Sequence, residues 1–192
     1  MKITSKYLFV SIIAANLLLS SCKEKEFAVL APEKGSYFSI KKYALDEWTT
    51  HAGEPVSFTK TVKLNGVTDS GVTNIEHIDW PAVLQVFTDG DISDHKYLGR
   101  YTFTQLDDSF NRSHDFIYTA NESDLFTQKL LISMDMYTME VKGVYMETFK
   151  SNFWNKRQQK LMYSPVKTIM IQQYDKPLIG AKKELIIKYK AI

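Results

Sequence analysis

The richest acidic cluster of the chain is the run from Asp89 to His95, with carboxylates at Asp89, Asp91 and Asp94 that a divalent cation could use. Calcium takes about six to eight oxygens, and an EF-hand loop supplies them from positions one, three and five with a glutamate at twelve. In this run position five is Ser93 and position twelve is Arg100, so only a weak cation site at Asp89, Asp91 and Asp94 is open. A polar turn after a helix accounts for the same residues. His51, His77, His95 and His114 form no His-Glu-x-x-His pair, which argues against a zinc hydrolase. No Gly-x-Ser-x-Gly elbow, Ser-x-x-Lys box in a suitable context or phosphate-cradling glycine loop occurs, and no cofactor is implied. A glycan-directed hydrolase would need two carboxylates about 5 to 9.5 Å apart, brought together from distant strands.

The one cysteine, Cys22, ends an apolar run and precedes alternating charge, Lys23 to Glu26. A lone thiol makes no disulfide within the chain and no cysteine-based zinc set. Lys2 and Lys6 open the sequence, and Tyr7 to Leu19 runs without charge, which is the layout of a secretory signal and short for a spanning helix of about 20 residues. Leu19, Ser20, Ser21 and Cys22 resemble the lipobox of bacterial lipoproteins. That resemblance implies cleavage between Ser21 and Cys22, a diacylglycerol on the Cys22 thiol and anchorage through acyl chains. With Lys23 rather than Asp next, it further implies the outer membrane of a Gram-negative cell, facing the periplasm or the surface. The charged stretch after Cys22 is similar to the tethers of surface-displayed Bacteroidota lipoproteins, and a solvated linker reads the same way.

These boundaries divide the chain into a signal peptide, 1–21, a lipidated cysteine with charged tether, 22–36, and one domain, 37–192. Discarding residues 1–21, which hold two lysines and no acid, leaves 22 basic and 22 acidic residues among 171. A neutral chain lacks the basic excess that nucleic acid demands. Hydrophobic content of 44%, with 13% aromatic, is that of a folded core and excludes long disorder.

The elements follow from periodicity. Helical spacing of Tyr37, Ile40, Ala44, Leu45 and Trp48 after Ser36 predicts a helix ending near His51. Alternation from Val56 to Leu64, followed by Asn65-Gly66, predicts a hairpin over 56–76. Asp79 as cap and Pro81 in the first turn predict a second helix ending near Asp89-Gly90. From Tyr97 onward, alternating runs joined by short polar connectors predict consecutive antiparallel strands. Tyr97, Gly99, Tyr101 and Phe103 are assigned to the first of these, and Tyr137, Met139, Val141 and Tyr145 to a later one. The fold class is α+β, mainly β: an antiparallel meander (curved sheet, sandwich or half-barrel) with two N-terminal helices packed on it.

One further segment stands out, Lys150 to Lys160, in which Phe153 and Trp154 lie between asparagines and cations. At a hairpin tip, Phe153, Trp154, Lys156 and Arg157 form a contact surface for a partner; within a strand, one ring joins the core. The order Trp80, Phe87, Asp91-Ile92, Tyr97 or Tyr101, then Leu161, Tyr163 and Pro165, is similar to that of small Bacteroidota lipoproteins of no known activity. The expected role is a non-enzymatic, lipid-anchored binding or accessory subunit of an envelope assembly, with a membrane and an envelope protein as partners. The alternative is a carrier of lipid or another small apolar ligand in a cavity between sheet and helices, by architectural likeness to periplasmic half-barrel lipoprotein carriers.

Overall fold

The computed structural model describes residues 36–192, apart from Ala52 and the side chain of Trp48. The signal segment, the lipobox and Cys22 lie outside these residues. The order is α1 (Ile40–His51), β1 (Ser57–Leu64), β2 (Val67–Asn74), α2 (Trp80–Thr88), β3 (Tyr101–Asp108), β4 (Ser113–Ala120), β5 (Thr127–Asp135), β6 (Val141–Ser151), β7 (Asn155–Ser164), β8 (Thr168–Pro177) and β9 (Lys183–Ala191). Single 3₁₀ turns stand at Ile75–His77 and His95–Tyr97. All nine strands form one antiparallel, curved sheet in the order β2-β1-β9-β8-β7-β6-β5-β4-β3. The expected mainly β fold with two helices is therefore the fold observed, and of the forms anticipated it is a single curved sheet.

One face of the sheet is apolar at alternate positions. Leu130 and Ile132 on β5, Val144 and Met146 on β6, Leu161 on β7 and Ile169 on β8 are almost wholly buried. Each side chain of this size contributes about 1.5–3 kcal/mol by leaving water. The helices supply the facing layer: Trp80 of α2 packs edge-on against Phe58, Phe87 against Tyr163, and Tyr43 of α1 against Tyr163. At the end of α2, Gly90 lies so close to the sheet that an added Cβ would collide with Met146 Sδ and stand 3.2 Å from Thr127 Oγ1. The Thr127 hydroxyl donates to the Gly90 carbonyl at 2.8 Å. Asn65 and Gly66, with φ of 50° and 91°, make the tight β1–β2 turn that their dipeptide predicts.

Three boundaries differ from the sequence expectation. The first helix begins at Ile40, not Tyr37, because Ser39 caps it, its Oγ accepting from Lys42 N at 3.2 Å. Tyr37 is drawn away to pack on Tyr101 and Tyr118. Tyr97 and Gly99 precede β3 instead of belonging to it: Asp94 accepts from Lys96 N to set a 3₁₀ turn, and Gly99 takes φ of 78°. Tyr137 and Met139 form the β5–β6 turn, since Asp135 Oδ1 accepts from the amides of Tyr137 and Thr138 and Met139 adopts φ of 59°. Local side-chain to backbone bonds override alternation in the last two cases.

The second carboxylate of the acidic run has a structural task. Asp91 Oδ2 accepts from the Ser39 hydroxyl at 2.8 Å and from Lys41 N at 2.7 Å, while its Oδ1 accepts from Ser93 N at 2.7 Å. It thereby places a negative group at the start of α1, where unpaired amides and the helix dipole favour one. Asp91→Ala is expected to lower stability by about 1–2 kcal/mol in urea denaturation. Asp89→Ala, at an exposed position, is expected to stay within about 0.5 kcal/mol.

Candidate functional site

The β6–β7 connection is built by one asparagine. Asn152 Oδ1 accepts from Trp154 N at 3.0 Å and Asn155 N at 2.7 Å, and Asn152 N donates to the Asn155 carbonyl at 2.9 Å. Tip amides bonded in this way need no further partner, and the two rings between them point to solvent. Phe153 is 76% and Trp154 67% exposed, packed edge-to-face with centroids 4.9 Å apart. Of the two sequence readings of this segment, the hairpin tip is the one realised. The neighbouring β8–β9 turn adds Leu178 and Ile179, 61% and 82% exposed. Leu178 N donates to the Trp154 carbonyl at 2.8 Å, one step beyond the Asn155–Pro177 pair that ends the β7–β8 ladder. Two hairpin tips are thus locked side by side, and between them they hold four large apolar side chains in water.

Cations surround this apolar end. Over residues 149–158 and 174–184 stand Lys150, Lys156, Arg157, Lys176, Lys182 and Lys183, against Asp175 and Glu184 alone. Lys156 pairs directly across from Lys176, an arrangement of like charges that costs sheet stability. Arg157 Nε donates to Asp175 Oδ1 at 2.7 Å, and Asn155 and Gln173 donate to the same carboxylate at 3.1 and 2.6 Å. Burial pushes the Asp175 carboxyl up, but the bonds from Arg157, Asn155 and Gln173 outweigh it and hold the group below the usual carboxylate range. The chain of bonds continues inward, from Gln159 Nε2 to Gln173 Oε1 at 3.0 Å and from the buried Thr148 hydroxyl to Gln159 Oε1 at 3.1 Å. A polar strut therefore ties the tip to the core. Beside it, Phe149, Gln158, Tyr174, Lys176, Lys182 and Glu184 line an open depression of about 600 Å³.

Elsewhere the titratable groups serve the fold. Asp94 caps its 3₁₀ turn and faces Lys96 Nζ at 3.2 Å, and Asp91 is committed to α1, so the three carboxylates of the run do not converge. Among the described residues no three His, Cys, Asp or Glu side chains gather as a metal would require. His114 meets Asp107 at 2.7 Å, and His51 meets Glu54 at 2.8 Å and Glu47 at 3.6 Å. Tyr163 donates to Glu47 at 2.9 Å, and burial, then the nearby Glu47 carboxylate, pushes the Tyr163 hydroxyl far above the normal phenol range. Sequence reasoning missed this cluster, although Glu47, His51 and Glu54 follow one another at helical spacing. It borders a gap of only about 20 Å³ between helices and sheet, roomy enough for about one water molecule.

A larger space is open to solvent. Val83 and Val86 of α2, with Ile171, Leu185, Ile187 and Gln173 on the sheet, line a groove of about 450 Å³. No helix among the described residues is long and apolar enough to cross a membrane. Compared with protein-family models, curated proteins and solved structures, the chain matches none.

The depressed Asp175 carboxyl gives a pH test of the strut. A carboxylate whose folded pKa lies below its unfolded value stabilises above the unfolded pKa, about 3.9, and that contribution fades as pH falls through the folded value. Asp175→Asn is expected to lose about 1 kcal/mol at neutral pH. Urea midpoints of the variant should then change less than those of the wild type as pH is lowered from neutral into the acid range.

Proposed function

We propose that this chain is a lipid-anchored, non-enzymatic binding or accessory subunit of the cell envelope, held in the outer membrane through Cys22. The anchor rests on the Leu19-Ser20-Ser21-Cys22 sequence. Two or three acyl chains hold a protein to a bilayer essentially permanently, since each buried methylene adds about 0.8 kcal/mol. Once tethered, the domain needs only a contact surface to work locally.

The observation that carries the binding role is the joined pair of hairpin tips, with Phe153, Trp154, Leu178 and Ile179 exposed together. Scattered apolar side chains on a surface are ordinary, whereas a contiguous group rimmed by charge marks a place of contact. The polar strut beneath it fixes the tips before any partner arrives, which lowers the ordering cost of binding. A second reading, a carrier of an apolar ligand, is favoured by the groove beside α2, where aliphatic side chains such as Val83, Val86, Ile171 and Ile187 share the walls with Lys60, His77, Asp79 and Gln173. The groove, at about 450 Å³, has room for such a ligand, whereas the gap beside Tyr163 and Trp80 holds about one water molecule.

Photo-crosslinking in cells tests the proposal without presuming the partner. With p-benzoylphenylalanine in place of Trp154, adducts with envelope components are expected severalfold above those formed from Tyr137, which is at least as exposed on the β5–β6 turn. In a Cys22→Ala chain, palmitate incorporation and the Trp154 adducts should both disappear. Equal adducts at the two positions would overturn the contact surface, and persisting palmitate would overturn the anchor.

A further inference from the structure

The end of the sheet that holds the tips has two properties that together narrow its partner. The first is the chemistry of the apolar group: a Trp and a Phe in edge-to-face contact beside a Leu and an Ile, all on turns and none shielded by a neighbouring element. Aromatic rings of this kind settle at the headgroup level of bilayers, where an apolar body and a polar edge are both accommodated. The second is charge. Once residues 1–21 are removed the chain is neutral, yet the two tip segments, 149–158 and 174–184, hold six basic residues and two acidic ones, while Glu122 on the neighbouring β4–β5 connection is paired with Arg100. One of those acids, Asp175, is bonded to Arg157 and turned into the strut. The lysines are all exposed, and Lys156 faces Lys176 across the ladder without a carboxylate between them. Like charges set side by side are tolerated where an anionic surface meets them.

Resting on the binding role proposed above, we infer that the component met by this end is the anionic lipid surface itself. Phe153, Trp154, Leu178 and Ile179 enter the headgroup region, and Lys156, Lys176, Lys182 and Lys183 lie over lipid phosphates. The β7–β8 and β8–β9 ladders run away from the tips, so the strands stand on the bilayer with the tips down. The open groove beside α2 then remains accessible from the aqueous side.

A site-directed nitroxide tests this on the full, lipidated chain, because an acylated Cys22 leaves an introduced thiol as the only one to label. The variants Phe153→Cys and Tyr137→Cys are labelled and reconstituted into phosphatidylcholine vesicles with or without phosphatidylglycerol. Collisions with oxygen and with a water-soluble nickel chelate report immersion. In the anionic vesicles the label at 153 is expected to gain oxygen and lose chelate contact severalfold relative to the label at 137. High salt, or the triple change Lys156→Glu, Lys182→Glu and Lys183→Glu, should reverse the difference. A label at 153 that stays as open to the chelate as that at 137 in pure lipid, yet is shielded from both quenchers in native membranes, would overturn lipid insertion in favour of a protein at the same tips. Free chelate access at 153 in vesicles and native membranes alike would overturn the contact surface as well.

Discussion

The pairing of β1 with β9 constrains everything else. Phe58 lies opposite Ala191 and Leu64 opposite Leu185, so the first hairpin joins the sheet beside the last strand, and β2 and β3 occupy opposite edges. The chain must therefore travel from one edge to the other between Asn74 and Tyr101 before the meander can start. That crossing passes over a single face. It buries Ile78, Trp80, Leu84, Phe87 and Ile92 there, and with α1 it becomes the second layer of the core. The meander contributes local pairings, but the β1–β9 ladder is a contact of high sequence separation and has the largest loop-closure entropy to overcome.

The same crossing decides what remains uncovered. Helices and connecting turns occupy the face around Tyr163, Ile169 and Phe58, while the upper ends of β6 to β9 extend beyond them. There the inward positions change from aliphatic to polar, from Leu161 and Ile171 to Gln159 and Gln173, and then to Arg157 and Asp175. The polar residues are hydrogen-bonded to one another, Gln159 to Gln173, Gln173 to Asp175 and Arg157 to Asp175, so the uncovered part stays ordered without apolar burial. The exposed rings at 153 and 154 are thus supported by the structure below them. Their exposure is not a fold unable to cover its residues, since Asn152 directs both of them outward.

Much of the fold was legible in the sequence. Asn65-Gly66, Asp79 with Pro81 and the alternation after Tyr101 gave correct elements because each is decided by neighbours in sequence. The failures share a cause: at Tyr37, Tyr97 and Tyr137 apolar side chains satisfied a period, while a nearby Ser or Asp imposed a cap or turn. Periodicity cannot register those side-chain to backbone bonds. For the candidate site, Phe153, Trp154, Lys156 and Arg157 were readable as an unusual cluster, whereas their choice of tip over strand was not. Leu178 and Ile179 were invisible as partners, for they join the site only through the β7–β8 register. The role of Asp91 was equally hidden, since the amide it accepts from, that of Lys41, lies 50 residues earlier.

Whether the two tips meet the membrane is decided by hydrogen–deuterium exchange on the lipidated chain, compared between its native membrane and detergent. Slowed exchange is expected at 151–155 and 177–183 alone, with the turns at 109–112 and 136–140 unchanged. Unaltered exchange at both tips, or protection appearing instead along Ala82 to Val86, would contradict it.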